Sequence, residues 1–412
     1  MHHQIPVATL GAHGPGMAAA VSSCVHCGFC LPACPTYKVL GEEMDSPRGR
    51  IVLMKEVLEG TLPLADAAVH LDRCLGCLAC ESACPSGVPY RELITPMRER
   101  LVAARPAATR ARLTALLHVM ASPGRFRAAL AAGRLARPLA GLLPASLGAM
   151  LGLLPARVPP AATHPPVVPA QGTRRARVAL MTGCVQDVLR PAITTAAARV
   201  LAAQGVEVAI PAGQGCCGAL AAHSGVLARG EQMAAAHRRG FPTDVDAVVT
   251  TAAGCGSWMK EHPGDVPVVD AAEYLDALGL RTPLVMRTAR QVAYQDACHL
   301  SHGQRVTAAP RRLLESIAGL VLVPLADAGV CCGSAGLYNI EQPALAAELG
   351  RRKAAAIAAT GVTAVVSGNI GCLTQLETAL AAAGHRVAIR HTMEFLADPD
   401  LAGGADDPMR GR

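Results

Sequence analysis

Aromatic residues are almost missing from this chain. One Trp, five Tyr and four Phe make up 2% of 412 residues, which leaves little material for platforms that stack bases or sugars. Charge is thin as well: Asp, Glu, Lys and Arg reach 17%, against a usual share of about 25%. The excess of 38 basic over 31 acidic residues gives a formal +7, too mild for a general nucleic-acid binder. Residues 1 to 20 carry no basic segment, and Gly, Pro and His interrupt their apolar residues. No secretory signal is expected, and a cytoplasmic protein is. From Pro138 to Ala156 the chain runs 19 residues without a charge, but Pro144, Pro155 and three glycines break what would otherwise approach a membrane span. Disorder is excluded by a hydrophobic share of 51%.

What the chain does have is 16 cysteines, and they are clustered. In a reducing cytosol such clusters read as liganded thiolates sooner than as disulfides. Cys24, Cys27, Cys30 and Cys34 recur 50 positions later as Cys74, Cys77, Cys80 and Cys84, each copy ending in Cys-Pro. A second repeat carries Cys184 to Cys298 (114 positions), Cys216 and Cys217 to Cys331 and Cys332 (115), and Cys255 to Cys372 (117). That period is too long for a solenoid unit and suits a duplicated half-domain. Four regions follow: a two-motif domain over 14–100, an Arg- and Pro-rich helical linker over 101–173, and two related halves over 174–285 and 286–400.

Between the first two motifs, Pro47 to Gly60 places Ile51, Met54, Val57 and Leu58 on one helical face. An α-helical version of a two-cluster ferredoxin domain is therefore expected. In the halves, β-branched runs at Arg177–Met181, Val206–Ile210, Asp246–Thr250, Gln291–Tyr294, Leu320–Pro324 and Thr363–Ser367 alternate with Ala-rich helical stretches such as Ala192–Ala203. This is the pattern of a duplicated α/β domain whose cysteines stand in loops at strand ends.

The spacing C-x2-C-x2-C-x3-C-P puts three thiolates around one cubane and turns the fourth to its neighbour. Cys24, Cys27, Cys30 and Cys84 are thus expected to hold one [4Fe-4S] cluster, and Cys34, Cys74, Cys77 and Cys80 another. Two tetrathiolate zinc sites are the alternative, although zinc usually pairs two distant C-x2-C units. The second system has the pattern of a CCG domain, found twice: Cys184, Cys216, Cys217 and Cys255, then Cys298, Cys331, Cys332 and Cys372. Four thiolates in each half leave room for further clusters. Buried, reduced cysteines without iron are the other reading. The CCG pattern usually closes with C-x2-C, where Trp258 and Gln375 stand here. Gly213, Gly215 and Gly218 formally satisfy G-x-G-x-x-G, but its variable positions are Cys216 and Cys217, and no NAD or flavin site is expected. His299 and His302 either tune a cluster or cap the following helix, and Asp296 has the same double reading.

Taken with the phrases Met181–Gln186 (MTGCVQ), Thr251–Ser257 (TAAGCGS), Cys298–Gln304 (CHLSHGQ), Cys331–Asn339 (CCGSAGLYN) and Asn369–Leu376 (NIGCLTQL), the chain resembles the iron-sulfur subunits of glycolate oxidase over nearly its whole length. The resemblance implies an oxidoreductase subunit without catalytic residues of its own. FAD-containing partner subunits would oxidise glycolate to glyoxylate, and this subunit would take the electrons toward a membrane quinone, peripheral on the cytoplasmic face of the inner membrane. The alternative is a subunit similar to those of heterodisulfide reductase or anaerobic glycerol-3-phosphate dehydrogenase. Eight arginines and no acid or lysine between Leu101 and Arg157 fit either a face toward anionic lipid or a partner, or a packed helix pair. In anaerobic iron analysis, Cys77→Ser should lose about four irons and impair the other cluster less. Unchanged iron, or stoichiometric zinc in the wild type, would refute two cubanes.

Overall fold

The computed structural model describes residues 1–138, 151, 154–155, 157–281 and 284–401. The chain opens with helices alone. Gly14–Ser23, Pro47–Glu59, Leu64–Asp72 and Arg91–Ala104 pack around Met17, Val21, Met54, Leu71, Leu93 and Met97. Helix 47–59 is set by local chemistry. The Ser46 hydroxyl accepts from the Gly49 N–H at 3.0 Å, Pro47 stands at the first helical position, and Gly60 ends the helix in the left-handed region.

Each of the first two cysteine motifs bends through two left-handed residues. They are His26 (φ 55°) and Gly28 (φ 86°) in one, Gly76 (φ 65°) and Leu78 (φ 61°) in the other. The positions are 50 apart, so the repeat extends from sequence to backbone, with glycine taking one of the two strained places in each copy.

Helices Ala107–Met120 and Pro123–Ala136 follow. Leu113 and Leu117 bury against Ala221 and Leu337, while Arg127 donates to the Pro159 carbonyl at 2.5 Å and the Asp187 carbonyl at 3.0 Å. This pair is packed onto the body of the protein, with Arg125, Arg134 and Arg137 left exposed. The uncharged stretch 138–156 lies mostly outside the described residues. Among the described residues no helix is long and apolar enough to cross a membrane.

The body holds two sheets. In the first, β1 (Val167–Val168), β2 (Ala176–Leu180), β3 (Val206–Ala209), β4 (Ala247–Thr250) and β5 (Val268–Asp270) lie in the order β1-β3-β2-β4-β5, parallel except for β1. In the second, β6 (Val285–Tyr294), β7 (Ala318–Val323), β8 (Ala364–Ser367) and β9 (Ala388–His391) lie in the order β7-β6-β8-β9, all parallel. Setting β1 aside, both halves use one topology. Two details differ from expectation: β6 begins six residues before Gln291, and β1 comes from the tail of the stretch read as linker.

One core joins the halves, with Leu180, Leu201, Val208 and Val249 packed together with Val292, Val366 and Phe395. Across the seam the buried Arg190 meets Glu394 at 3.0 Å and Glu377 at 2.6 Å, and donates to the Ile389 carbonyl at 2.8 Å. Burial holds His391 down at about 4, so its ring is neutral at pH 7. Nδ1 accepts from the Met393 N–H, which leaves Nε2 to donate to the Thr251 carbonyl at 2.8 Å.

The glycine of each Cys-Cys-Gly has a steric reason. At Gly218 (φ +89°) a Cβ would stand 2.2 Å from the Gly230 carbonyl oxygen, and at Gly333 (φ +96°) 2.8 Å from that of Ala346. Gly213 also has a positive φ, +69°, but open space around it. In urea melts, Gly213→Ala should cost only the left-handed strain, about 1–2 kcal/mol. Gly218→Ala should cost clearly more, because backbone must also move. Equal costs would show that the close approach is unimportant.

Candidate functional site

Cys24, Cys27, Cys30 and Cys84 line one cleft, and Cys34, Cys74, Cys77 and Cys80 line a second; Cys80 borders both. The first is the outer one. Cys27 is exposed, and beside it Val25 and Phe29 are 64% and 65% exposed. In the inner cleft Cys34, Cys74 and Cys77 are buried.

The donor set suits thiolates. The Gly76 N–H points at Cys74 Sγ (3.4 Å) and the Val88 N–H at Cys84 Sγ (3.5 Å). Burial pushes the Cys30 thiol up to about 11, opposed by the backbone N–H of Arg48, and raises Cys77 and Cys80 well above their ordinary value. At Cys74 the push of burial is outweighed by the guanidinium groups of Arg50 and Arg98, and the thiol lies below its ordinary value. Thiols buried in this way ionise when a metal takes the proton's place. Among the described residues no three Cys, His, Asp or Glu side chains converge as they would around one bare ion.

Arginines surround both clefts. Arg50, 1% exposed, stands 3.9 Å from Cys34 Sγ and is held by Thr36 Oγ1 (3.1 Å) and by Asp45 (3.2 Å), itself fully buried. Asp45 also receives Arg73 at 2.8 Å and faces His70 at 3.3 Å. Arg48 donates to the His26 carbonyl at 3.1 Å and pairs with Glu43 at 2.6 Å. Arg98 donates to the Cys74 carbonyl and, at 3.1 Å, to the His223 carbonyl.

The inner cleft abuts the second half of the body. Leu75, Cys77 and Ala79 form one apolar cluster with Cys298, Cys331, Tyr338 and Leu349. Tyr338 donates its hydroxyl to the Arg73 carbonyl at 2.9 Å. His302 joins Ser82 Oγ and the Gly329 carbonyl, both at 2.9 Å. It therefore clasps two regions instead of tuning a thiolate or capping a helix. His299 does approach a sulfur, with Nδ1 3.6 Å from Cys298 Sγ. Asp296 is taken up by Arg311 at 2.7 and 2.8 Å.

The CCG thiols gather four by four. Cys184 Sγ lies 3.3 Å from Cys216 Sγ, and the contacts continue from Cys216 to Cys217 and on to Cys255. In the second half they run from Cys298 through Cys331 and Cys332 to Cys372. Cys255 and Cys372 are not in loops, as expected, but in the first turns of helices Ala253–Glu261 and Ile370–Ala382. A base is buried beside each set: His237 near Cys216, and Lys353, 3% exposed, near Cys332. Trp258 is packed against His262 with ring centroids 3.9 Å apart, and Gln375 accepts from Asn339 at 2.6 Å and donates to the Ala346 carbonyl. Neither position carries a fifth thiolate. The loop Gly213–Gly218 delivers Cys216 and Cys217, and its Gln214 side chain is tied to Thr182 N and the Leu180 carbonyl.

Sequence reasoning missed the arginines and the bond from Tyr338, and gave His302 another role. One signal was there: Arg48 and Arg98 are also 50 positions apart.

Fold and sites together define an iron-sulfur protein with a two-cluster helical head and a duplicated cysteine-rich body. Residues 20–88 match the 4Fe-4S dicluster domain, and residues 178–260 and 292–377 each match the cysteine-rich domain CCG. The glycolate oxidase iron-sulfur subunit of Escherichia coli (strain K12) is 35% identical over 91% of this chain and 93% of its own length. The "Probable glycolate oxidase iron-sulfur subunit" of Bacillus subtilis (strain 168) is 35% identical over 88% and 89%. Lactate utilization protein A of Oceanobacillus iheyensis is 29% identical over 53% of this chain and 96% of its own. The chain belongs to the glycolate oxidase iron-sulfur subunit family, and its dicluster domain is one that carries two [4Fe-4S] clusters.

Asp45 anchors the charge around the inner cleft, and removing it leaves Arg50 buried without a carboxylate. Asp45→Asn should cost roughly 3–5 kcal/mol in chemical denaturation. A loss under about 1 kcal/mol would mean that the thiolates alone sustain Arg50.

Proposed function

We propose that this chain is the electron-transfer subunit of a multi-subunit glycolate oxidase. Cys24, Cys27, Cys30 and Cys84 hold one cluster; Cys34, Cys74, Cys77 and Cys80 hold the other. Bound clusters supply one-electron relay at positions where no substrate need bind. FAD-containing partner subunits oxidise glycolate to glyoxylate, and the electrons continue toward a membrane quinone. The observation that carries this reading is the contiguity of the sulfur sites: Cys80 borders both clefts, and Cys77 shares an apolar cluster with Cys298 and Cys331. Beyond Cys298 and Cys331 the second-half set continues to Cys332 and Cys372, four thiols that offer a place for a further cluster. The exposed Arg134 and Arg137 beside Leu135, which is 85% exposed, with the exposed Arg125 on the same helix, support apposition to the cytoplasmic face of the inner membrane.

Purified, iron-loaded chain should reduce no quinone analogue when given glycolate, and turnover should appear when the flavin subunits are added. Turnover by the flavin-free chain would assign the chemistry to this chain itself. Equal turnover by the flavin subunits with and without this chain would remove it from the electron path.

A further inference from the structure

The 50-residue repeat carries an arginine as well as four cysteines, and the two copies use it differently. Arg48, on helix 47–59, lays its guanidinium on the first cysteine loop: it donates to the His26 carbonyl, and Nη1 is 2.8 Å from where a Cβ on Gly28 would stand. Arg98, on helix 91–104, does the same to the second loop, donating to the Cys74 carbonyl with Nη1 2.8 Å from a Cβ position on Gly76. The difference is in what neutralises them. Glu43 grips Arg48 with both carboxylate oxygens, at 2.6 and 3.2 Å. Among the described residues Arg98 donates to carbonyls alone, those of Cys74 and His223.

The other arginines nearby each reach a carboxylate. Arg50 and Arg73 share Asp45, and Arg91 lies between Glu81 at 3.0 Å and Glu261 at 2.5 Å. Across the cavity that Arg98 borders, Asp72 is paired with Arg105 at 2.6 Å, and Glu341 feels the charges of Arg105 and Arg98 without reaching ion-pair distance of either among the described residues. Arg98 is thus the cation beside the inner cleft without a carboxylate at ion-pair distance among the described residues.

A thiolate-bound cluster gains one negative charge when it takes an electron. A fixed, unpaired cation at short range in a desolvated site favours that state, while a cation already paired favours it much less. Resting on the cluster assignment above, we infer that Arg98 is a positioning residue for the electron: it raises the reduction potential of the inner centre relative to the outer one. The electron leaving the outer centre is the one gained by the inner centre, with no proton exchanged. Electrons are thereby drawn from the exposed loop at Cys27 toward Cys298 and Cys331. The same guanidinium ties helix 91–104 to the first half of the body, so the charge cannot drift from the loop.

The test is a redox titration followed by EPR on the full iron-loaded chain, with the inner signal identified as the one lost in Cys77→Ser. In Arg98→Gln the inner potential should fall, changing the inner-to-outer distribution of the electron about tenfold, which is about 59 mV for a one-electron couple. Arg98→Lys should restore most of it, since charge and not the forked donor is what acts. Arg48→Gln should move the outer potential by much less. Glu43→Gln, which frees Arg48, should raise the outer potential. Should Arg98→Gln fail to take up iron, Glu43→Gln decides: a raised outer potential supports the inference and an unmoved one overturns it. Unchanged inner potential in an iron-replete Arg98→Gln also overturns it. Wild-type chain that binds no iron would sink the cluster assignment instead, and is told apart by metal analysis.

Discussion

Desolvating sulfur is the constraint on which this structure depends. A thiolate loses its hydration when buried, so positive charge and backbone N–H groups must be supplied from the protein. The helical head supplies them from fixed places. Arg50 lies in the core with Asp45 to hold it, the amides of Gly76 and Val88 turn toward Cys74 and Cys84, and the arginines of helices 47–59 and 91–104 lie over the loops themselves. The helices are scaffolding for this arrangement. Their apolar faces, through Met54, Leu71, Leu93 and Met97, set the distance at which the charges stand.

Much of this was legible in the residues. The cysteine spacings specified the grouping expected of the first eight thiolates, and the 115-residue period specified a duplicated body, because both repeats are written in one residue type. Helix 47–59 was legible from its apolar face between Pro47 and Gly60, while its Ser46 cap emerged only with the structure. What was hidden depends on contacts between distant segments. Nothing around His302 says that it reaches Ser82, 220 positions away, and nothing around Tyr338 points to the Arg73 carbonyl. The left-handed residues were hidden for a different reason: glycine marks only one of two in each loop, leaving His26 and Leu78 without a signature.

The body shows how far duplication constrains chemistry. Both halves keep the same strand order, the same Cys-Cys-Gly turn and the same close approach that only glycine allows. They differ in the buried base beside the sulfurs, His237 in one and Lys353 in the other. An imidazole can be buried neutral, whereas a buried ammonium calls for compensating negative charge. Burial pushes both His237 and Lys353 toward the neutral form, and at Lys353 the sulfurs of Cys332 and Cys331 oppose it.

Cys84 lines the outer cleft with Cys24, Cys27 and Cys30, and Cys34 lines the inner one with Cys74, Cys77 and Cys80. This crossing has a consequence for biogenesis. A nascent chain that has emerged only as far as the first motif cannot complete either thiol set, however long it waits on the ribosome. The inner set is complete only once residue 80 has been made and the outer only once residue 84 has, so a product truncated before residue 80 presents neither full set of four thiols.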